Sequence, residues 1–194
     1  MAPSGTPSDD QLLWQALREG DRDAFARLYQ THYRTLYGYG HKLVADAALV
    51  EDAIQDLFVD LWRLRNGLAP AVSVPYYLFR SLRRRLHRAG EREDHLPLEP
   101  DRLSIPDGDC ADEEDLIQQA ERLIRQLPAR QQEVVMLRFL GGFKNEEIAD
   151  LLGITEKSVR NTLHKALSFL RRQVRTTDPL LGGLLVTAWV KALL

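Results

Sequence analysis

Apolar residues recur at helical spacing along most of this chain. Phe25, Leu28, Tyr29, Tyr33, Leu36 and Tyr37 fall at i, i+3, i+4, i+8, i+11 and i+12. Val50, Ala53, Ile54, Leu57, Phe58, Leu61 and Trp62 repeat the pattern, with Asp and Glu on the opposite face. Leu116, Ile117, Ala120, Leu123, Ile124 and Leu127 do so again, as do Val159, Leu163, Ala166, Leu167, Leu170 and Val174. A stripe with a period near 3.6 marks an amphipathic helix packing on a shared core. No convincing alternation of period two is present, so the pattern predicts an all-α protein.

Breakers divide the helices into groups. Residues 66–75 carry Gly67, Pro70 and Pro75 and predict a loop before a helix starting near Tyr76. Residues 90–112 combine Gly90, Pro97, Pro100, Pro106 and Gly108 with many acids. Such a composition buries too little apolar area to offset the entropy of ordering, and predicts a flexible linker. The expected organisation is a helical domain over 10–92, an acidic linker over 93–112, a second helical domain over 113–175, and an apolar tail over 176–194.

The second domain contains the most informative run. Leu127-Pro128 opens a helix, because proline is tolerated at the first helical position, and Gly141-Gly142 ends it. Asn145 is the expected cap of a short helix whose first turn holds Glu146 and Glu147 and whose buried face is Ile148, Ala149, Leu151 and Leu152. Gly153-Ile154 makes a tight turn, and Thr155 caps a longer second helix. This is the plan of a helix-turn-helix, whose second helix enters the DNA major groove. Lys157, Arg160, Asn161, His164 and Lys165 lie off its apolar stripe, as base-edge and phosphate contacts require. Arg171, Arg172 and Arg175 are placed for backbone phosphates.

Composition as a whole argues against nucleic acid. The 194 residues carry 26 Lys and Arg against 28 Asp and Glu, a formal net charge of −2. The average hides a segregation: the net charge is −3 over residues 1–74, +5 over 75–92, −10 over 93–121 and +6 over 122–175. Local field, rather than the total, decides whether a phosphate backbone is attracted. In the first basic block Arg80, Arg83, Arg84, Arg85 and Arg88 interleave with Tyr76, Tyr77, Phe79, Leu82 and Leu86. Guanidinium groups beside aromatic rings suit single-stranded or melted DNA, while Phe79, Leu82 and Leu86 read as core. Glu51, Asp52, Gln55, Asp56 and Asp60 form a polar edge on the preceding helix, compatible with a basic protein partner or with plain solvation.

These residues resemble a known family. VEDAIQDLFVDLW, a proline-bearing loop and YYLFRSLRRRLHR look like the second conserved region of a bacterial σ70-type factor, and the stretch from Leu127 to Arg172 resembles the fourth. Only those two regions joined by a short linker points to the extracytoplasmic-function (ECF) group. The resemblance implies a promoter-specific initiation factor that binds core RNA polymerase through its β′ clamp and β flap. It implies that Asp52, Gln55, Asp56 and Phe58 sit on the helix docking on the clamp. Loop 66–75 and helix 76–88, with Tyr76, Tyr77, Arg80, Arg83, Arg84 and Arg85, would recognise and help melt the −10 element. Thr155, Lys157, Ser158, Arg160, Asn161 and Lys165 would read the −35 element. Promoter DNA is then a partner, and an anti-sigma factor a further candidate one. Arg84 departs from the family, which often carries Asn there.

Other classes lack support in the sequence. No glycine-rich phosphate loop, metal-spaced cluster or nucleophile motif is present, so no enzyme, cofactor, metal or small-molecule substrate is expected. The single Cys110 gives no disulfide framework and suits a reducing cytosol. MAPSGTPSDD lacks the basic and apolar stretches of a signal peptide, so a cytoplasmic location is expected. The uncharged run from Pro179 to Val190 is shorter than the ~20 residues that span a bilayer, so membrane contact is not expected of it. That tail is expected to pack within the molecule or bind a partner.

Overall fold

A computed structural model describes residues 8–71, 73–92 and 123–177. The expected linker 93–112 and nearly all of the tail from 176 lie outside the described residues. The chain divides into two compact units on either side of residue 101. All regular structure among the described residues is helical.

The first unit contains α1 (Asp9–Arg18), α2 (Arg22–Leu43), α3 (Ala47–Leu64), a short 3-10 turn (Arg65–Gly67) and α4 (Val74–Arg92). Helix α1 has no counterpart among the stripes above. Its start is fixed by a reciprocal cap: Ser8 Oγ accepts from the Gln11 N–H, and Gln11 Oε1 accepts from the Ser8 N–H. Asp21 and Asp46 cap α2 and α3 through their carboxylates. Helix α4 begins at Val74, two residues before the expected Tyr76, because Ser73 Oγ accepts from the Tyr76 N–H. Pro75 then falls in the first turn, where no backbone donor is needed.

The core of this unit is built from Leu28 and Leu36 of α2, Ile54, Leu57 and Phe58 of α3, and Leu78, Phe79, Leu82 and Leu86 of α4. Tyr39 packs its ring 4.9 Å from Phe79. Gly40 permits the approach of three helices: a Cβ there would lie 2.7 Å from Val50 and 3.4 Å from Leu86. Among the described residues the buried polar side chain of this unit is His32, which faces Asp10 of α1 at 3.1 Å.

The second unit contains α5 (Ala129–Phe139), α6 (Asn145–Leu152) and α7 (Glu156–Thr177), after a helical stretch at residues 123–125. Pro128 stands at the cap rather than at the first helical position. Lys144, not Asn145, is the cap of α6, because the Glu147 carboxylate accepts from the Lys144 N–H at 2.8 Å. The turn to α7 is as expected: Gly153 has φ +63 and ψ 38, and the Ile154 N–H reaches back to the Ala149 carbonyl at 3.0 Å. Thr155 Oγ1 then accepts from the Ser158 N–H. Arg130 of α5 donates to the Leu152 carbonyl at 3.0 Å and so holds the C-terminal end of α6, while pairing with Glu133. Leu127 and Val135 pack against Ala166 and Leu170 of α7.

Asp60 and Arg85 join α3 to α4 with Nη2 2.6 Å from Oδ2, and Arg63 adds a second contact at 2.9 Å. The Arg85 hydrogen bond holds the Asp60 carboxyl below the ordinary carboxylate range, against a smaller opposing effect of burial. The partly exposed pair is expected to contribute about 0.5–1 kcal/mol in a double-mutant cycle of D60A and R85A. The contribution is present in full above the ordinary carboxylate pKa. It is lost only as pH falls through the depressed value in the folded state. Urea unfolding of the four proteins at pH 7 and at successively lower pH measures this coupling.

Candidate nucleic-acid interface

Helix α4 separates its residues cleanly by face. Leu78, Phe79, Leu82 and Leu86 are buried, whereas Tyr77, Arg80, Arg84 and Arg88 are exposed. Arg80, Arg84 and Arg88 stand four residues apart and therefore line one side of the helix. Tyr76 is half-buried, with the Arg80 guanidinium 5.9 Å from its ring centroid. The cluster expected from sequence is thus partly one surface: Tyr76, Tyr77, Arg80 and Arg84 belong to it, and Arg88 extends it. Arg83 is half-buried on one flank. Arg85 is turned to the other flank, where its guanidinium is engaged by Asp60. The four-residue spacing of Arg80, Arg84 and Arg88 already leaves Arg85 off the exposed line, but spacing along one helix carries no signal of its partner Asp60.

The loop before α4 is held from a distance in sequence. Trp14 of α1 is 2% exposed, and its Nε1–H donates to the Ala69 carbonyl at 3.0 Å. The same indole meets Tyr77 edge-on at 5.0 Å. One side chain therefore ties α1 to the loop and to the first turn of α4. At the other end of the loop Arg65 donates to the Trp62 carbonyl at 2.8 Å and lies 4.5 Å over the Trp62 ring. The Ala69 carbonyl and the first turn of α4 are thus held by the same indole. The cue for Trp14 was present in the sequence, as a Ser8-to-Gln11 capping box followed by Leu13, Trp14 and Leu17 at helical spacing.

In the second unit, Thr155, Lys157, Ser158, Arg160, Asn161 and Lys165 are all exposed on the first three turns of α7 and its cap. Val159 and Ala166 anchor the opposite face. Thr155 and Ser158 are joined by the cap hydrogen bond, so these two also build the turn. Arg171 and Arg172 continue the exposed basic surface. Lysine and arginine thus project from a helix seated on α5 and α6, in the manner by which a recognition helix is presented to a groove.

Helix α3 carries the acidic edge. Glu51, Asp52, Gln55 and Asp56 are exposed, and Val59, an apolar side chain, is 61% exposed beside them. Phe58 is on the same helix but on its buried face, against Phe25 and Tyr29, and contributes to the core rather than to the edge. Asp60 is occupied by Arg63 and Arg85. Among the described residues there is no cluster of metal-ligand type and no helix long and apolar enough to cross a membrane.

Comparison with known proteins agrees with both halves. The family described as Sigma-70 region 2 matches residues 28–95, and Sigma-70 region 4 matches residues 117–170. The chain is 28% identical over 180 residues to the ECF RNA polymerase sigma factor RpoE of Cereibacter sphaeroides, covering 87% of this chain and 99% of that one. It is 28% identical over 170 residues to the RNA polymerase sigma-E factor of Streptomyces avermitilis, covering 84% and 91%. Over 92 residues, 45% of this chain and 43% of the relative, it is 36% identical to the ECF sigma factor SigD of Mycobacterium tuberculosis. Its fold resembles that of CnrH, solved in complex with the cytosolic domain of CnrY, with a TM-score of 0.57 at 22% identity, covering 87% and 99%. It also resembles RpoE of Bartonella quintana, solved with the anti-sigma factor NepR, with a TM-score of 0.52 at 18% identity, covering 86% and 94%.

The Trp14 geometry generates a local prediction. Trp14→Phe keeps a ring against Tyr77 but removes the donor to Ala69, so stability should fall by about 1 kcal/mol. Amide hydrogen exchange at residues 68–71 should quicken, with exchange in α6 unchanged as the internal reference.

Proposed function

Since the chain belongs to the sigma-70 family of RNA polymerase sigma factors, within its ECF group, we propose that it is a promoter-specific transcription initiation factor that divides recognition between its two units. The observation that carries this reading is the coincidence of two family regions with two separate exposed basic helices, α4 and α7. Each is seated on its own apolar core.

In this reading α7 lies in the major groove at the −35 element. Arg160, Asn161 and Lys165 reach base edges, Lys157 and Ser158 contact the adjoining backbone, and Thr155 fixes the start of the helix. Tyr76 and Tyr77, with Arg80 and Arg84, receive the −10 element as it melts. The exposed Tyr77 ring and the half-buried Tyr76 ring offer stacking surfaces to unpaired bases, and the guanidinium groups neutralise the phosphates. Arg83 and Arg85 support this helix from its flanks. An extruded base needs a pocket edge that stays in place, and the loop tied down by Trp14 supplies one. Asp52, Gln55 and Asp56 dock on the β′ clamp of core polymerase, and the second unit reaches the β flap. The protein's work is then binding and strand separation rather than bond chemistry, and it is carried out in the cytoplasm, where polymerase and promoter meet. RpoE of Bartonella quintana, a structural relative, was solved with an anti-sigma factor, which supports an anti-sigma factor as a partner here as well.

Reconstituted transcription with core polymerase and start-site mapping tests the reading as a whole. Arg160→Ala and Lys165→Ala are each expected to weaken −35 recognition by about 1–3 kcal/mol for a good base contact, and to relax discrimination at the contacted base. Unchanged promoter binding by both variants would remove α7 from the −35 element. Charge reversal at the edge, Asp52→Lys with Asp56→Lys, should instead lower affinity for core polymerase while the unfolding midpoint is kept. Undiminished capture of core enzyme by this pair would count against docking through α3.

A further inference from the structure

Helix α1 is ten residues long, too short to hold itself in water, and the unit fastens it at three places. Near its start the Asp10 carboxylate lies 3.1 Å from Nε2 of His32, which stands in the core stripe of α2 and is 8% exposed. Carboxylate oxygens only accept, so Nε2 carries the proton of this contact. One turn on, Trp14 gives its Nε1–H to the Ala69 carbonyl at 3.0 Å and its ring meets Tyr77 edge-on. Just past the helix, Gly20 lies against Arg65, whose Nε would be 3.7 Å from a Cβ placed there. Recognition of the −10 element as proposed involves the second of these contacts. The buried pair of His32 and Asp10 has no part in it.

That pair supplies what apolar packing does not, a direction. Trp14 and Leu17 bury α1 against the unit, but apolar burial is non-directional and tolerates small rotations about the helix axis. A hydrogen bond does not, because it weakens steeply away from linear geometry. Side chains stand roughly 5–6 Å from a helix axis, so a rotation of about 20° carries one roughly 2 Å. Such a displacement would break the 3.0 Å bond from the indole to Ala69. Asp10 and Trp14 are four residues apart and share a face of α1, so holding one sets the direction of the other. We propose that His32 is a positioning residue for −10 recognition: by holding Asp10 it sets the rotation of α1 and, through Trp14, the place of the loop before α4. The proposal rests on the reading that this loop and α4 receive the −10 element, and it puts one determinant of that recognition in the buried core of α2.

The test uses holoenzyme assembled from the full-length protein and core polymerase. Its probes are fluorescent single-stranded oligonucleotides carrying the −10 element of a mapped promoter, matched or altered at one base, and preference is the ratio of the two affinities. His32→Leu keeps the core filled but removes the donor. It is expected to lower the preference about fivefold, the worth of one hydrogen bond, and to quicken amide exchange at residues 68–71. His32→Gln, which offers an amide N–H to Asp10, should recover most of that loss. Because the two residues act through one route, Trp14→Phe combined with His32→Leu should lose no more than the larger single loss. Preference kept within about twofold by His32→Leu would overturn the proposal, as would a double-variant loss equal to the product of the single ones. If His32→Leu lowers the unfolding midpoint, Asp10→Ala decides, since the Asp10 side chain is 24% exposed and its removal leaves the core filled. A reduced preference then supports the route, and an unchanged one rejects it. The reading of α4 fails separately, by a parent holoenzyme that shows no base preference at −10.

Discussion

Five arginines stand within nine residues on α4, from Arg80 to Arg88. Left to themselves they repel one another, and neighbours four apart on a helix lose a few tenths of a kcal/mol each. What holds them on one ordered element is burial of the opposite face. Leu78, Phe79, Leu82 and Leu86 are each worth roughly 1.5–3 kcal/mol when fully buried. That gain exceeds the repulsion several-fold, so the helix can accumulate positive charge that its own backbone would not favour. Asp60 relieves the crowding further by taking one guanidinium out of the line. Arg80, Arg84 and Arg88 keep a common direction, and the role proposed for this helix follows from that.

The second unit solves the same problem with shorter elements. Helix α6 has only eight residues, too few to stand alone in water. It is held at both ends: Glu147 accepts from the Lys144 N–H at its start, and Arg130 donates to the Leu152 carbonyl at its end. Gly153 adopts a left-handed conformation that costs another residue about 1 kcal/mol or more. Together these fix the direction in which α7 leaves the turn.

Much of this was legible in the sequence, because helical periodicity and turn chemistry are local. The helices α2, α3 and α7, the Gly153 turn and the Thr155 cap appear where spacing puts them, but the buried face of α2 runs through Ala24, Leu28, His32 and Leu36, with Phe25, Tyr29, Tyr33 and Tyr37 half-buried beside it. Boundaries moved wherever a neighbouring group supplied the cap, as Ser73 does for α4 and Lys144 for α6. What spacing could not give was which polar residues pair across the fold. Arg84 and Arg85 are adjacent, and Asp56 and Asp60 one turn apart, yet one of each pair is exposed while Arg85 and Asp60 face each other across 25 positions of sequence. Phe58 likewise shares a helix with Asp52 and Asp56 but belongs to the core. Trp14 meets Ala69 across 55 positions, a contact that only the assembled fold creates.

The exposure of Lys157, Arg160, Asn161 and Lys165 has a bearing on how such proteins diverge. These side chains lie outside the core of the second unit, and its caps and its turn use other residues. On the proposed reading of α7, recognition and folding are therefore separable, and base preference would drift through single exposed substitutions with little cost in stability. The loop before α4 has no such latitude, because Trp14 couples it to α1. With recognition divided as proposed, a gene duplicate would acquire a new upstream specificity one codon at a time, whereas a new downstream one would require concerted change in two distant segments.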